Sequence, residues 1–340
     1  MLVSDSYGKL SFQAGEHAVG LDAASQNTFV SHAHLDHVPS YLHKSRRVLC
    51  SEATRDLISS RIALGDAVCH HHPFSLDGFR LSMPESGHIL GSRQLLIEGD
   101  GSRFVYTGDL RTSDSLLFKG AQPVECDTLL VESTYGLPRF RFPPREEVYG
   151  EISRWVKNEL EGGCVVLGGY PVGKAQELVK TLNEYLGITP LVSSGIAKVC
   201  EAYVKHGLKL DFIPSDSAGE SGAVNGSFVA VLPHNKVNSS LASGLSRQYG
   251  KKISTALATG WASNRSWGFD VDRVFCLSDH CDFYQLMDFA LATGARRIFT
   301  NHGYSREFAS ELAKLGKSAV AVEDIRPARG QQTLVAKGRA

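Results

Sequence analysis

Short apolar stretches separated by polar, glycine-bearing turns dominate the chain as far as Tyr135. They predict strands over Gly8 to Phe12, Ala18 to Asp22, Thr28 to Ser31 and Arg47 to Cys50. Further strands are expected over Phe79 to Pro84, Gln94 to Glu98, Arg103 to Thr107 and Thr128 to Val131. Glu52 to Ala63 carries helical spacing instead, with Ser51 placed as its N-cap. Near Tyr135 the texture changes. Pro138, Pro143 and Pro144 break up a segment in which Arg139, Arg141 and Arg145 interleave with Phe140 and Phe142. Beyond it helices (Arg145 to Leu160, Gly173 to Tyr185, Ala197 to His206, Val237 to Gln248) alternate with strands (Cys164 to Gly168, Pro190 to Val192, Phe228 to Leu232, Ile253 to Leu257). That alternation is the signature of a parallel α/β sheet. Ser215 to Asn225 reads as a Gly/Ser-rich loop. After Trp261-Ala262-Ser263-Asn264, strand–helix units return at Arg273 to Leu277, Phe283 to Leu291, Arg297 to Thr300 and Phe308 to Leu315.

Bulk composition narrows the class. At 340 residues and 42% hydrophobic content the chain suits one large domain or two ordinary ones. No run approaches the ~20 apolar residues of a membrane helix. Met1-Leu2-Val3-Ser4-Asp5 has no basic-then-apolar leader, so a cytoplasmic protein without membrane partners is expected. Lys+Arg and Asp+Glu both number 36, so bulk charge gives no support for nucleic-acid binding, although a local basic groove would suffice. The seven cysteines form no CxxC pair and read as reduced, mostly buried small hydrophobes. Cys69-His70-His71-His72-Pro73 has metal-binding residue types, yet no second cluster supports it, so it reads as a polar loop.

The chemistry concentrates in Ser31-His32-Ala33-His34-Leu35-Asp36-His37, directly after an apolar run. Imidazole and carboxylate at that density call for a divalent metal. Isolated polar residues then recur at strand ends, usually beside glycine: Gly87-His88, Gly108-Asp109, Glu132, Ser278-Asp279-His280 and His302-Gly303. Side chains at one end of a layered sheet converge on one crevice. Counting ligands gives two sites. His32, His34, His88 and Asp109 would fill one; Asp36, His37, Asp109 and His302 the other, with Asp109 bridging. Two such cations can hold a bridging hydroxide and clamp a phosphodiester. Asp22, at the end of the preceding strand, is placed behind the ligands, orienting a histidine; a plain strand-end turn is the alternative.

These residues resemble the metallo-β-lactamase superfamily, whose mark is HxHxDH, and within it the β-CASP nucleases. Glu132 in Val-Glu-Ser-Thr-Tyr-Gly matches that branch's acidic motif A, His280 in Ser-Asp-His-Cys-Asp-Phe its motif B, and His302 in Thr-Asn-His-Gly-Tyr its motif C. Tyr135-Gly136-Leu137-Pro138, Gly173-Lys174-Ala175-Gln176 and Thr259-Gly260-Trp261 look like the compact prokaryotic group of ligase-associated or RNA-processing exonucleases. Asp279 departs from the Gly or Ala frequent in other branches. The resemblance implies an αββα sandwich with an inserted parallel α/β cap: residues 1–138 and 266–340 for the first domain and 139–265 for the cap. It implies two zinc ions, with manganese as an alternative. It implies catalytic roles for Asp36, Glu132 and His280, the last a general acid whose imidazolium the Glu132 carboxylate favours.

Gly168 to Ala175 nearly fits a phosphate loop, but Ala175 replaces the magnesium-binding hydroxyl, which argues against ATP hydrolysis. Lys174 at that helix start is expected instead to hold a nucleic-acid phosphate, or simply to be solvated. Arg139 and Arg141, with the interleaved aromatics, suit a single strand of DNA or RNA, or an ordinary linker. The chain therefore reads as a two-metal nuclease, an exonuclease on DNA in the first instance, with RNA processing as the alternative and a small-molecule metallo-hydrolase more distant.

Overall fold

A computed structural model describes residues 2–4, 9–59, 61, 68–217, 226–263, 268–325 and 332–333. The far end of the expected Glu52 to Ala63 helix, most of the 215–225 loop, Asn264 and the chain ends lie outside the described residues. The fold is mixed α/β and divides into two compact units. The first comprises residues 1–112, 120–138 and 280–340; the second comprises 113–119 and 139–279.

The first unit is built on two seven-stranded sheets. One orders its strands as 332–333, Leu2–Ser4, Leu10–Ala14, His17–Leu21, Asn27–Phe29, Arg47–Leu49 and Val68–His70. The other runs Ser318–Ala321, Arg297–Asn301, Thr128–Glu132, Ser102–Tyr106, Leu95–Gly99, Phe79–Ser82 and Phe74–Leu76. Alternation decides what each face buries. Phe12, Val19, Phe29 and Leu49 of the first sheet share a core with Leu81, Ile97, Phe104, Tyr106 and Leu130 of the second. The intervening Leu96, Val105, Leu129 and Val131 point to the opposite face, where Phe283, Leu286 and Phe289 of helix Phe283–Ala292 and Phe308 and Leu312 of helix Ser305–Lys314 cover them. Strand Thr128–Glu132 is buried at every position, as expected of a strand covered on both faces.

The second unit holds a six-stranded, wholly parallel sheet: Ile213–Pro214, Leu191–Val192, Val229–Pro233, Gly163–Gly169, Lys252–Ala258 and Arg273–Phe275. Strand Arg273–Phe275 pairs with Lys252–Ala258, which carries this unit past the expected boundary at residue 265 to Asp279. Ser51 Oγ accepts from the Thr54 N–H at 3.0 Å, the predicted cap of helix Glu52–Ser59. Cys69 and His70, expected to begin a polar loop, instead lie in the edge strand Val68–His70, where only one neighbour pairs. Among the described residues no helix is long and apolar enough to cross a membrane.

Candidate metal centre

The polar residues at the strand ends of the first unit meet in one place. His32 follows strand Asn27–Phe29, and its ring is fully buried. Its Nε2 lies 3.1 Å from His34 Nδ1 and 3.4 Å from Asp109 Oδ2. His88 Nε2 lies 3.1 Å from the same His34 nitrogen and 3.5 Å from Asp109 Oδ2. The ligand atoms of His32, His34, His88 and Asp109 all fall within 4.8 Å of one another. A tetrahedral zinc with ~2.0–2.1 Å bonds sets its ligand atoms ~3.3 Å apart, so four measured edges have the size such a cation needs. Hydrogen bonding alone is a poor account, because His34 Nδ1 faces two other imidazole nitrogens and cannot satisfy both at once.

Electrostatics agree for His32. Burial, then the neighbouring imidazoles of His37, His88 and His34, push His32 well below its ordinary value, so it is held neutral, the form that binds metal. Ser31 Oγ sits 2.9 Å from His32 Nδ1 and fixes the ring from behind. Asp109 Oδ1 turns the other way, 3.4 Å from His37 Nε2. Burial lowers His37, but Asp109 and Asp22 outweigh it and raise the ring to about 10.

Asp22 lies directly behind His37. It takes a positive φ of 50° at the turn after its strand. Its Oδ2 accepts from His37 Nδ1 at 2.7 Å, Tyr106 Oη at 2.8 Å and Ser31 Oγ at 2.6 Å, and Oδ1 accepts from the Ser31 N–H at 2.7 Å. Tyr106 and Ser31 carry no signal in sequence: a tyrosine in an apolar strand and a serine before a histidine are ordinary.

The second expected set is looser. Asp36 is 82% exposed, with Oδ2 3.9 Å from His37 Nε2. The exposed His302 ring lies 5.2 Å from that of His37, centroid to centroid. The other tight group among the described residues is instead Asp109, Glu132 and His280. Glu132 is buried; its Oε1 faces His280 Nδ1 at 2.9 Å and accepts from the Leu110 N–H at 2.7 Å. Burial raises Glu132, but His280 and the Thr134 and Leu110 N–H groups hold it below its ordinary value. His280 Nε2 then lies 4.0 Å from Asp109 Oδ2.

Two glycines let backbones close on this centre. Gly87, before His88, has φ +70°, and a Cβ there would meet Arg111 O at 2.3 Å. Gly303, after His302, has φ +58°, and a Cβ would meet Thr134 Cα at 2.5 Å and Ser133 O at 2.6 Å. Ser133 Oγ donates to the carbonyls of Asn301 and His302, tying the two strand-end loops together.

In the second unit two basic residues, Lys174 and Arg145, are buried. Lys174 is 2% exposed, with its Nζ 2.8 Å from Asp279 Oδ1 and 3.3 Å from Glu177 Oε2. It is neither a phosphate contact nor solvated. Arg145, at the end of the proline-broken segment, is buried against Glu177. Arg139 and Arg141 are exposed, but Phe140 between them is buried edge-on against Trp261. Among the described residues the Cys69–Pro73 tract enters no group of three metal-ligating atoms, and His71 Nδ1 faces the Cys50 carbonyl oxygen at 2.7 Å.

No family model matches the chain. Over 306 residues it is 29% identical to a protein named "Probable DNA ligase" from Opitutus terrae, covering 87% of this chain and 29% of that one. Over 191 residues it is 30% identical to an "RNase J-like protein" from Methanocaldococcus jannaschii, covering 48% of this chain and 45% of the relative. Over 228 residues it is 31% identical to "Transcription termination factor FttA" from a Lokiarchaeum species, covering 55% and 36%. The matches thus span less than half the length of each relative.

Proposed function

We propose that the chain belongs to the β-CASP nucleases of the metallo-β-lactamase superfamily and is a metal-dependent nuclease, a reading supported by its likeness to the RNase J-like protein and to the termination factor. The observation that carries this reading is the set of ligand atoms of His32, His34, His88 and Asp109, all within 4.8 Å of one another. Two zinc or manganese ions are the proposed cofactors. His32, His34, His88 and Asp109 would hold one; Asp109, His37, Asp36 and His302 would hold the second. Bound there, the cations supply an activated water at neutral pH and neutralise charge on the phosphate.

The chain's own residues do the rest. Asp22 holds His37 through Nδ1 and so presents Nε2 to the site. Glu132 holds His280 through Nδ1, leaving Nε2–H to deliver a proton to the departing oxygen of the sugar. Residues 1–112, 120–138 and 280–340 are read as the αββα sandwich and 139–279 as the inserted cap. Arg139 and Arg141 are read as phosphate contacts to a single strand. For the polymer, the match spanning most of this chain is to a protein named for DNA ligation, while the RNase J-like relative favours RNA at least as well.

The test is metal analysis of the purified protein together with cleavage of end-labelled single- and double-stranded DNA and RNA. Cleavage that stops on chelation, returns with zinc or manganese and disappears in His34→Ala and Asp36→Ala is expected. Full activity in both variants, or no cleavage of any polymer by metal-loaded protein, refutes the reading. The labelled products also give polarity and separate DNA from RNA.

A further inference from the structure

Four charged side chains sit together inside the second unit. Lys174 Nζ binds Asp279 Oδ1 and Glu177 Oε2, while Arg145 binds Glu177 Oε1 with one nitrogen and the Ser278 carbonyl oxygen with another. Tyr149 Oη also donates to Glu177. Two cations thus meet two carboxylates in a neutral, buried set. Stability is a weak reason for building one: desolvation costs several kcal/mol per ion, and apolar replacements are often as stable. Geometry supplies a better reason. Both cations end on Ser278 or Asp279, the two residues directly before His280 in the chain. On the other side of His280, the Cys281 N–H donates to the Leu110 carbonyl at 2.8 Å, and Asp282 caps helix Phe283–Ala292. His280 follows the clamped pair directly in the chain, with 21% of its side chain exposed.

We propose that Lys174 and Arg145 are positioning residues: by clamping Asp279 and the Ser278 carbonyl they set the backbone from which His280 reaches the leaving oxygen. This rests on the reading of His280 as the general acid. It also explains why Asp, rather than a small residue, precedes His280: a buried lysine needs that carboxylate.

The test uses the metal-loaded full chain and two oligonucleotides. One is unmodified; in the other, sulfur replaces the leaving oxygen at the scissile linkage, so that a thiolate departs without a proton. Asp279→Asn takes the charge from the Lys174–Asp279 half of the clamp. The pair Lys174→Met with Asp279→Asn breaks it while removing one charge of each sign, which keeps a folded variant in hand if the single substitution melts. On the unmodified strand kcat is expected to fall about 10–100-fold with KM within about twofold, since small misplacements of a catalytic group cost that much. On the sulfur-bearing strand the loss is expected to shrink below about threefold. Equal losses on both strands, a change confined to KM, or no loss overturns the proposal while leaving the nuclease reading intact. A wild-type chain that cleaves neither strand overturns the nuclease reading itself.

Discussion

Replacing Asp22 by Asn tests whether the residues behind the ligands tune the metal. The Asp22 side chain is 7% exposed and accepts four hydrogen bonds: two from Ser31, one from His37 Nδ1 and one from Tyr106. An amide offers a single acceptor oxygen. In one orientation its NH2 faces the Ser31 N–H; in the other it faces His37, Tyr106 and the Ser31 hydroxyl. Either way a buried donor is stranded, at about 1–3 kcal/mol. His37 also loses the charge that fixes its Nδ1–H tautomer, and partners of this kind are worth about 10–100-fold in metal affinity, or ~1.4–2.7 kcal/mol. Competition for zinc against a chromophoric chelator reads the affinity, and thermal melting with and without zinc separates it from fold stability. Tyr106→Phe removes one bond from the same carboxylate without touching its charge and is expected to cost the metal under about threefold. Zinc affinity within twofold of wild type in Asp22→Asn, with melting lowered, would refute the argument and leave Asp22 as a strand-end turn residue.

Gly303→Ala is expected to destabilise the first unit by about 1–3 kcal/mol, because φ is +58° and the new Cβ meets backbone atoms of Ser133 and Thr134; an unchanged urea midpoint would refute the close-approach account. Arg141→Ala is expected to flatten the salt dependence of single-strand binding, whereas Lys174→Ala should lower the melting temperature and leave the salt slope alone; the opposite pattern would restore Lys174 as a phosphate contact. The hydrogen bond from the Cys50 thiol outweighs partial burial and, with His71 and Arg55 nearby, lowers the Cys69 thiol to about 6. Cys69 should therefore be the described cysteine that iodoacetamide alkylates first. The rate should fall as pH drops through about 6, where the thiolate is protonated; an inflection only near the ordinary ~8.5 would refute the shift.

What could be read from the chain follows from where the information lies. His32 and His34 are neighbours in sequence, and His88 and Asp109 each stand beside a glycine at the end of an apolar strand, so a strand-end rule reaches all four. The sheets were legible for the same reason: Leu96 and Ile97 alternate between the two cores as period-two patterning requires. Lys174 was not legible. A glycine-rich turn into a helix favours a phosphate, and nothing local says that the ammonium instead meets Asp279, which lies 105 positions away. The edge strand Val68–His70 escaped because one paired side asks little of its composition. The same contrast bears on why the metal centre is so dense. Imidazoles crowded at 3.1 Å, with His32 driven neutral by burial and by its neighbours, gain little from one another. A site of that kind stores unfavourable contacts that only a cation relieves. The metal and the first unit should therefore stabilise each other, and the excess of polar residues that marks the site in sequence is the same excess that makes the folded chain demand a cation.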